Sequence, residues 1–317
     1  MHYLRLIRWT NLLIIFLTQL LAWACVILPT KNFAPERFLL NFPNFLLVSL
    51  STVLIAGAGY IINDYFDIRI DNINKPQKMV LEKQIPRRMA IIMHTVLNVV
   101  AVLFAAVVAR QAGHYSFLLL QLICTVLLWF YSTHFKRQFA LGNITVSLLT
   151  ALTVIVLILY EPAMHFYLTK PPFIVYSAEN ILPNPIWVLM VYAYFAFVLT
   201  WMREITKDME DLKGDEAEGC VTMPIKWGLQ KASFFCLGLG GFALIPLIIA
   251  AANLLYNNDW LLGSYTVVAL IIPIIAWMFF LPKAATTEHY AKASRYLKFI
   301  MVSGIGSLII YYIEANA

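Results

Sequence analysis

The chain has 317 residues, 61% of them hydrophobic and only 13% charged, with a mean hydropathy of +0.76. That balance lies far outside the range of a water-soluble globular domain and marks a membrane protein. The net charge of +6 gives no reason to expect a nucleic-acid partner, because the cations gather on one side of the expected membrane topology.

A membrane-crossing helix needs roughly 20 mostly apolar residues. That ruler predicts nine, in chain order Asn11 to Pro29, Pro43 to Ile62, Met89 to Ala109, Tyr115 to Thr133, Asn143 to Tyr160, Ile186 to Trp201, Ala232 to Asn253, Trp260 to Leu281 and Tyr296 to Ile313. The expected fold is an all-α membrane protein with nine transmembrane helices in one bundle. Residues 1–317 are read as a single domain, since domain counts by length presume water-facing surfaces. The first segment is too long, and too weakly followed by cleavage chemistry, for a signal peptide. With the amino terminus cytoplasmic and the carboxyl terminus outside, only Lys31, Arg37, Arg110 and Lys170 of the 23 lysines and arginines fall on the outer side, as the positive-inside rule requires. The basic inner rim can attract anionic lipid headgroups or an anionic substrate.

Between the spans, the stretch from Glu161 to Pro185 carries five prolines and is expected to lie irregularly on the membrane surface. The four cysteines form no CxxC pair and the six histidines are scattered, which offers neither a disulfide framework nor a histidine-rich metal centre. "AGAG" at Ala56 to Gly59, "GLGG" at Gly238 to Gly241 and "SGIGS" at Ser303 to Ser307 lie within apolar spans, not between a strand and a helix. They read as close helix packing, not as nucleotide loops.

The chemistry concentrates in two acidic clusters. "NDYFDIRID" sets Asp64, Asp67 and Asp71 at spacings of three and four, and "DMEDLKGD" repeats the spacing at Asp208, Asp211 and Asp215. At about 100° per residue each triplet falls within about 60° of arc, so each is expected to line one helix face, with Asn63 extending the first. Both clusters end spans on the cytoplasmic side, where the helix dipole disfavours anions and like charges one turn apart repel. A cation must offset this. Magnesium suits oxygen ligands shared with a substrate phosphate, and nothing here offers the sulfur or imidazole that softer metals choose. Lys136 and Arg137 close the fourth span on the same side, and Lys75 follows the first cluster; these cations can grip phosphate oxygens. The plainer alternative for any one cluster is a set of solvated loop acids, but two of one spacing at one membrane face favour a site.

At these residues the sequence resembles the UbiA-type superfamily of intramembrane prenyltransferases. Asn63, Asp64, Asp67 and Asp71 fit its NDxxDxxxD pattern, Asp208, Asp211 and Asp215 its DxxDxxxD pattern, and "YSTHFKRQFALGN" its YSxxxKRxxxxGN element, which gives Tyr131, Lys136 and Arg137. The resemblance covers essentially the whole chain. It implies a nine-helix bundle with a central cavity open toward the cytoplasmic side, in a bacterial or archaeal plasma membrane. It also implies Mg2+-dependent transfer of a prenyl group from an allylic diphosphate donor to a lipophilic acceptor. The wording "NDYFDIRIDNINKP" with "REITKDMEDLKGD" is most similar to members resembling digeranylgeranylglyceryl phosphate synthase, which implies a geranylgeranyl donor and a geranylgeranylglyceryl phosphate acceptor. After "NKP" the chain reads "QKMVLEKQIPRR" where many relatives carry a proline- and serine-containing stretch, so an aromatic acceptor of the quinone or tocopherol type stays open.

On that basis Asn63, Asp67, Asp71, Asp211 and Asp215 are the expected metal ligands. Asp64, Asp67, Asp211 and Tyr131 are the expected catalytic groups, and Lys75, Asp71, Lys136, Arg137, Arg203 and Asp208 the expected substrate-binding groups. An ion-coupled secondary transporter, or a scaffold that only binds prenyl lipids, would also place acids in a helical bundle; transporters usually hold them nearer the midplane.

Overall fold

A computed structural model describes residues 2–32, 35–170, 173–175 and 181–315. Among them nine helices are long and apolar enough to cross a membrane, matching the hydropathy reading, and the chain is a multi-pass integral membrane protein. After a short turn of helix at His2–Leu6, the helices are α1 (Trp9–Asn32), α2 (Phe42–Phe66), α3 (Ile68–Asn74), α4 (Arg87–Ala112), α5 (Ser116–Thr133), α6 (Leu141–Tyr160), α7 (Pro185–Glu210), α8 (Leu212–Ala217), α9 (Leu229–Tyr256), α10 (Trp260–Lys283) and α11 (Thr287–Ala315). All of these but α3 and α8 are membrane-length, and Met223–Trp227 adds one further short helical turn.

Several helices outrun the hydropathy reading. α2 continues past Ile62 to Phe66, α7 past Trp201 to Glu210, and α11 begins at Thr287, well before Tyr296. Hydropathy stops at the first charges, whereas the backbone ladder continues wherever each N–H still finds the carbonyl four residues back. Ends are set instead by caps. The Asn41 side chain accepts the Asn44 N–H (3.1 Å) ahead of Pro43 to start α2, and Gly113, at φ 71°, closes α4 in the left-handed region with its N–H on the carbonyls of Ala109 and Arg110. The proline-rich stretch is more ordered than expected: Pro162–His165 is helical, Phe166–Thr169 forms a 3-10 turn, and β1 (Phe173–Val175) pairs antiparallel with β2 (Ile181–Pro183). Pro171 and Pro172 lie outside the described residues.

The chain divides into two compact units, one of residues 1–135 and 152–193, the other of residues 136–151 and 194–317. In the first, α2 packs on α1, α4 and α5. A polar knot ties α1 to its neighbours: buried Gln19 donates to the Thr153 carbonyl (2.7 Å) and accepts from the Ser49 hydroxyl (2.8 Å), so both ends of this amide are met in an apolar interior. Leu6, Ile61, Ile68, Val80, Leu81 and Ile85 form a core that underlies the turn between α2 and α3. The second unit is built on Met202, Ile205, Cys236, Trp277, Leu297 and Ile300.

Gly59 shows how closely α2 and α5 approach. A Cβ there would lie 2.9 Å from both methyls of Leu128. Gly59→Val is therefore expected to lower stability by about 1–3 kcal/mol through overpacking, and Leu128→Ala in the same chain to recover part of it. Melting temperatures of the single and double variants in detergent check this.

Candidate functional site

The first acidic strip straddles two helices. Asn63 and Asp64 lie in the last turn of α2, Asp67 is the junction, and Asp71 lies in the first turn of α3. Asp67 has φ −89° and ψ 1°, which ends the regular helix without cutting its ladder. Its N–H donates to the Asn63 carbonyl (3.0 Å), and the Asp71 N–H donates to the Asp67 carbonyl (2.8 Å). The second strip repeats the arrangement. Asp208 lies in the last turn of α7, Asp211 is the junction at φ −94° and ψ 8°, and Asp215 lies in the first turn of α8. There the Asp211 N–H donates to Lys207 (2.8 Å) and the Asp215 N–H to Asp211 (3.2 Å).

This corrects the expectation that each triplet lines one face of one continuous helix. The electrostatics give the reason: an unbroken helix would hold all three carboxylates at its negative end. A break at the middle acid sets Asp71 and Asp215 in the first turn of a new helix, where the dipole favours anions.

Within the first unit, Arg8 donates through Nη2 to Asp64 Oδ1 at 2.6 Å, and its guanidinium lies 4.9 Å from the centre of the Tyr60 ring. Burial by itself would lower the Arg8 pKa, but Asp64 and then Tyr60 raise it on balance, so it stays cationic. Asn63 Nδ2 donates to Asp67 Oδ2 (2.7 Å), and Asp67 is only 5% exposed. Asn63 Oδ1 is buried with no hydrogen-bond donor. Such an oxygen is costly to leave unmet, and a hard oxygen acceptor beside a buried carboxylate fits a magnesium ion. Asp71 and Lys75 are half-buried just beyond. Tyr131, in the last turn of α5, is also half-buried. The other aromatic side chains of this end form a chain of edge contacts, Tyr65 to Phe66 (5.2 Å) and Phe66 to Trp129 (5.8 Å).

Within the second unit, buried Asn143 donates through Nδ2 to Asp208 Oδ2 (2.8 Å). Asp215 is 3% exposed, while Asp208 and Asp211 are half-buried. One turn before Asp208, Glu204 is 7% exposed and gathers two cations, accepting from Arg203 Nη1 (2.8 Å) and Lys207 Nζ (3.0 Å). Arg203 is thus engaged by a carboxylate, with its Nε buried and unbonded. Lys136 and Arg137 sit on a tight turn, Phe135–Arg137, the first half-buried and the second exposed. The Val221 N–H donates to the Arg137 carbonyl (2.8 Å), which pins this turn to the segment following α8. Among the described residues no three His, Cys, Asp or Glu side chains converge into a ready-made metal cage. Magnesium does not need one, since it commonly takes one or two carboxylates and completes its shell with water and substrate phosphate.

Three residues were missed by sequence reasoning. Glu204 extends the second strip by the same four-residue step that Asn63 adds to the first, and that spacing could have revealed it. Asn143 is the last residue of the YSxxxKRxxxxGN element, and that pattern could have revealed it. Arg8 reads from sequence only as a topology anchor.

The model of the UbiA prenyltransferase family matches residues 21–301. A curated relative, digeranylgeranylglyceryl phosphate synthase of Methanosphaera stadtmanae, is 27% identical over 306 residues, which cover 95% of each chain. The synthase of the same name from Methanothermobacter thermautotrophicus is 29% identical over 260 residues, 81% of this chain and 80% of that one. Among solved structures, digeranylgeranylglyceryl phosphate synthase in membranes superposes with a TM-score of 0.61 at 24% identity, covering 99% of this chain and 97% of that one. A UbiA homologue from Archaeoglobus fulgidus, bound to DMAPP and Mg2+, gives a TM-score of 0.58 at 14% identity over 98% of this chain and 99% of that one. These likenesses of fold cover 98–99% of this chain.

Proposed function

Because the chain belongs to the UbiA prenyltransferase family, and is therefore a prenyltransferase of the membrane, we propose that it transfers a geranylgeranyl group from geranylgeranyl diphosphate to geranylgeranylglyceryl phosphate. The observation that carries this reading is the duplicated acidic strip, broken at Asp67 and again at Asp211 with nearly the same backbone angles. The relatives' shared name supports the choice of acceptor.

By the chemistry of their oxygens, Asn63, Asp67, Asp71, Asp211 and Asp215 would hold magnesium. When bound, the ion neutralises charge that builds on the leaving diphosphate. Lys75, Lys136 and Arg137 take the remaining anionic oxygens, arginine through its fork and lysine as a point charge, while Arg203 is already held by Glu204. The bond between the first prenyl carbon and the diphosphate oxygen breaks with its electron pair leaving on oxygen. The free hydroxyl oxygen of the acceptor forms the new bond to that carbon and gives its proton to the departing diphosphate. The Tyr131 ring face stabilises the allylic cation by about 2 kcal/mol where water is excluded, and that exclusion also prevents hydrolysis to the prenyl alcohol. The basic residues that crowd the ends of these helices support a cytoplasmic site with the amino terminus on the same side.

The purified chain in detergent, given labelled geranylgeranyl diphosphate and magnesium, is expected to label geranylgeranylglyceryl phosphate and to stop when a chelator is added. Product from an aromatic acid but not from the glycerol phosphate moves the assignment to an aromatic acceptor. Labelling that persists in excess chelator overturns the metal role.

A further inference from the structure

The two strips share more than spacing. Each begins with an aspartate three residues ahead of the junction, Asp64 before Asp67 and Asp208 before Asp211. Each of these leading acids is bound by a side chain from the beginning of the preceding long helix: Asp64 by Arg8 at 2.6 Å, Asp208 by Asn143 at 2.8 Å. The helix starts match as well. α1 begins directly after Arg8, at φ 52°, and α6 directly after Ala140, at φ 56°. Non-glycine residues occupy this left-handed region at a cost, and such conformations persist where the surroundings hold them. Three residues past the left-handed position stands an asparagine in both helices, Asn11 and Asn143.

Resting on the functional reading above, we propose that Arg8 and Asn143 are positioning residues, each holding the leading aspartate of its own strip. Asp64 and Asp208 thereby serve as struts, and the rest of each strip, Asn63, Asp67 and Asp71 in the first and Asp211 and Asp215 in the second, is left to meet metal and diphosphate. The two struts differ in charge. Arg8 cancels the charge of Asp64, so the first strip offers the metal a charge set by Asp67 and Asp71. Asn143 fixes the Asp208 rotamer and leaves its charge in place. A group that orients a metal ligand's neighbour acts on affinity without touching the ion. Arg8 is poorly suited to grip substrate directly, because its guanidinium is already committed to the Asp64 carboxylate and to the Tyr60 ring.

The test is Mn2+ binding by the full chain in detergent, followed by electron paramagnetic resonance, with melting temperatures measured in parallel. Arg8→Gln and Asn143→Ala are each expected to weaken Mn2+ binding by about tenfold, and Arg8→Lys by clearly less. The discriminating variants are Arg8→Gln/Asp64→Asn and Asn143→Ala/Asp208→Asn. If the leading acids are struts, neutralising the stranded carboxylate restores binding to within about threefold of the original chain, a strong departure from additivity. If Asp64 or Asp208 is itself a ligand, the double variant binds no better than the single one, and the proposal is overturned. A lowered melting temperature with unchanged Mn2+ affinity overturns it too. Asp67→Asn serves as the reference. Unchanged affinity there sinks the functional reading and this inference with it, whereas loss at Asp67 with additive effects at Arg8 and Asp64 sinks the inference alone.

Discussion

Asp67→Asn and Asp211→Asn are each expected to slow prenyl transfer by about a thousandfold, equivalent to about 4 kcal/mol of lost transition-state stabilisation. The substitution keeps the side chain's shape. At position 67 an amide oxygen can still accept from Asn63 Nδ2, which now reaches Asp67 Oδ2 at 2.7 Å, and the backbone bonds through both junctions do not depend on the side chain. Folding should survive, so the loss should be seen in rate and metal dependence but not in melting temperature. Initial rates with labelled geranylgeranyl diphosphate across a magnesium titration measure it. A variant that keeps more than a tenth of the original rate at saturating magnesium would remove that residue from the chemistry.

Glu161 carries the largest expected effect on stability. It is fully buried and follows α6 directly. Its carboxyl oxygens accept the N–H groups of Leu39 (3.2 Å), Leu40 (2.7 Å) and Ala163 (3.0 Å), joining the segment ahead of α2 to the segment after α6. Glu161→Leu leaves three backbone donors unmet, and at about 1–3 kcal/mol for each buried one the chain should lose several kcal/mol, read as a large drop in melting temperature. Glu161→Gln keeps an acceptor oxygen and should lose less. Burial raises the Glu161 pKa above its ordinary 4.5, and the N–H groups of Leu40, Ala163 and Leu39 only partly oppose it. A raised folded-state pKa means that the folded chain binds the proton more tightly than the unfolded one. The linked stability is therefore full below pH 4.5 and declines as pH rises through the higher folded value. The melting temperature of the natural chain, measured against the Gln variant, should fall with pH over that window; a flat difference would contradict the assignment.

The spans were legible because long apolar runs need no fine pattern to be recognised, and the acidic strips because a repeated three-and-four spacing stands out against them. The junctions at Asp67 and Asp211 were not legible. A change of ψ at one residue leaves hydropathy and spacing untouched, so the triplets looked like faces of single helices. The partners of Arg8 and Asn143 were hidden for another reason: they lie 56 and 65 residues away, and no local pattern reports such a pairing. Glu161 looked like one more acid in a proline-rich stretch, though it anchors that stretch from the inside. The transporter and scaffold alternatives fall away with membership in a family of prenyltransferases.

The residues ahead of α1 look expendable by any apolarity plot, since all nine long helices lie beyond them. Yet Leu6 is fully enclosed and Arg8 meets Asp64. A trimmed chain starting at Trp9 would retain every membrane crossing while losing a hydrophobic plug and a counter-ion together. Tags and deletions at this end should accordingly be judged by what they do to those two side chains, not by distance from the lipid.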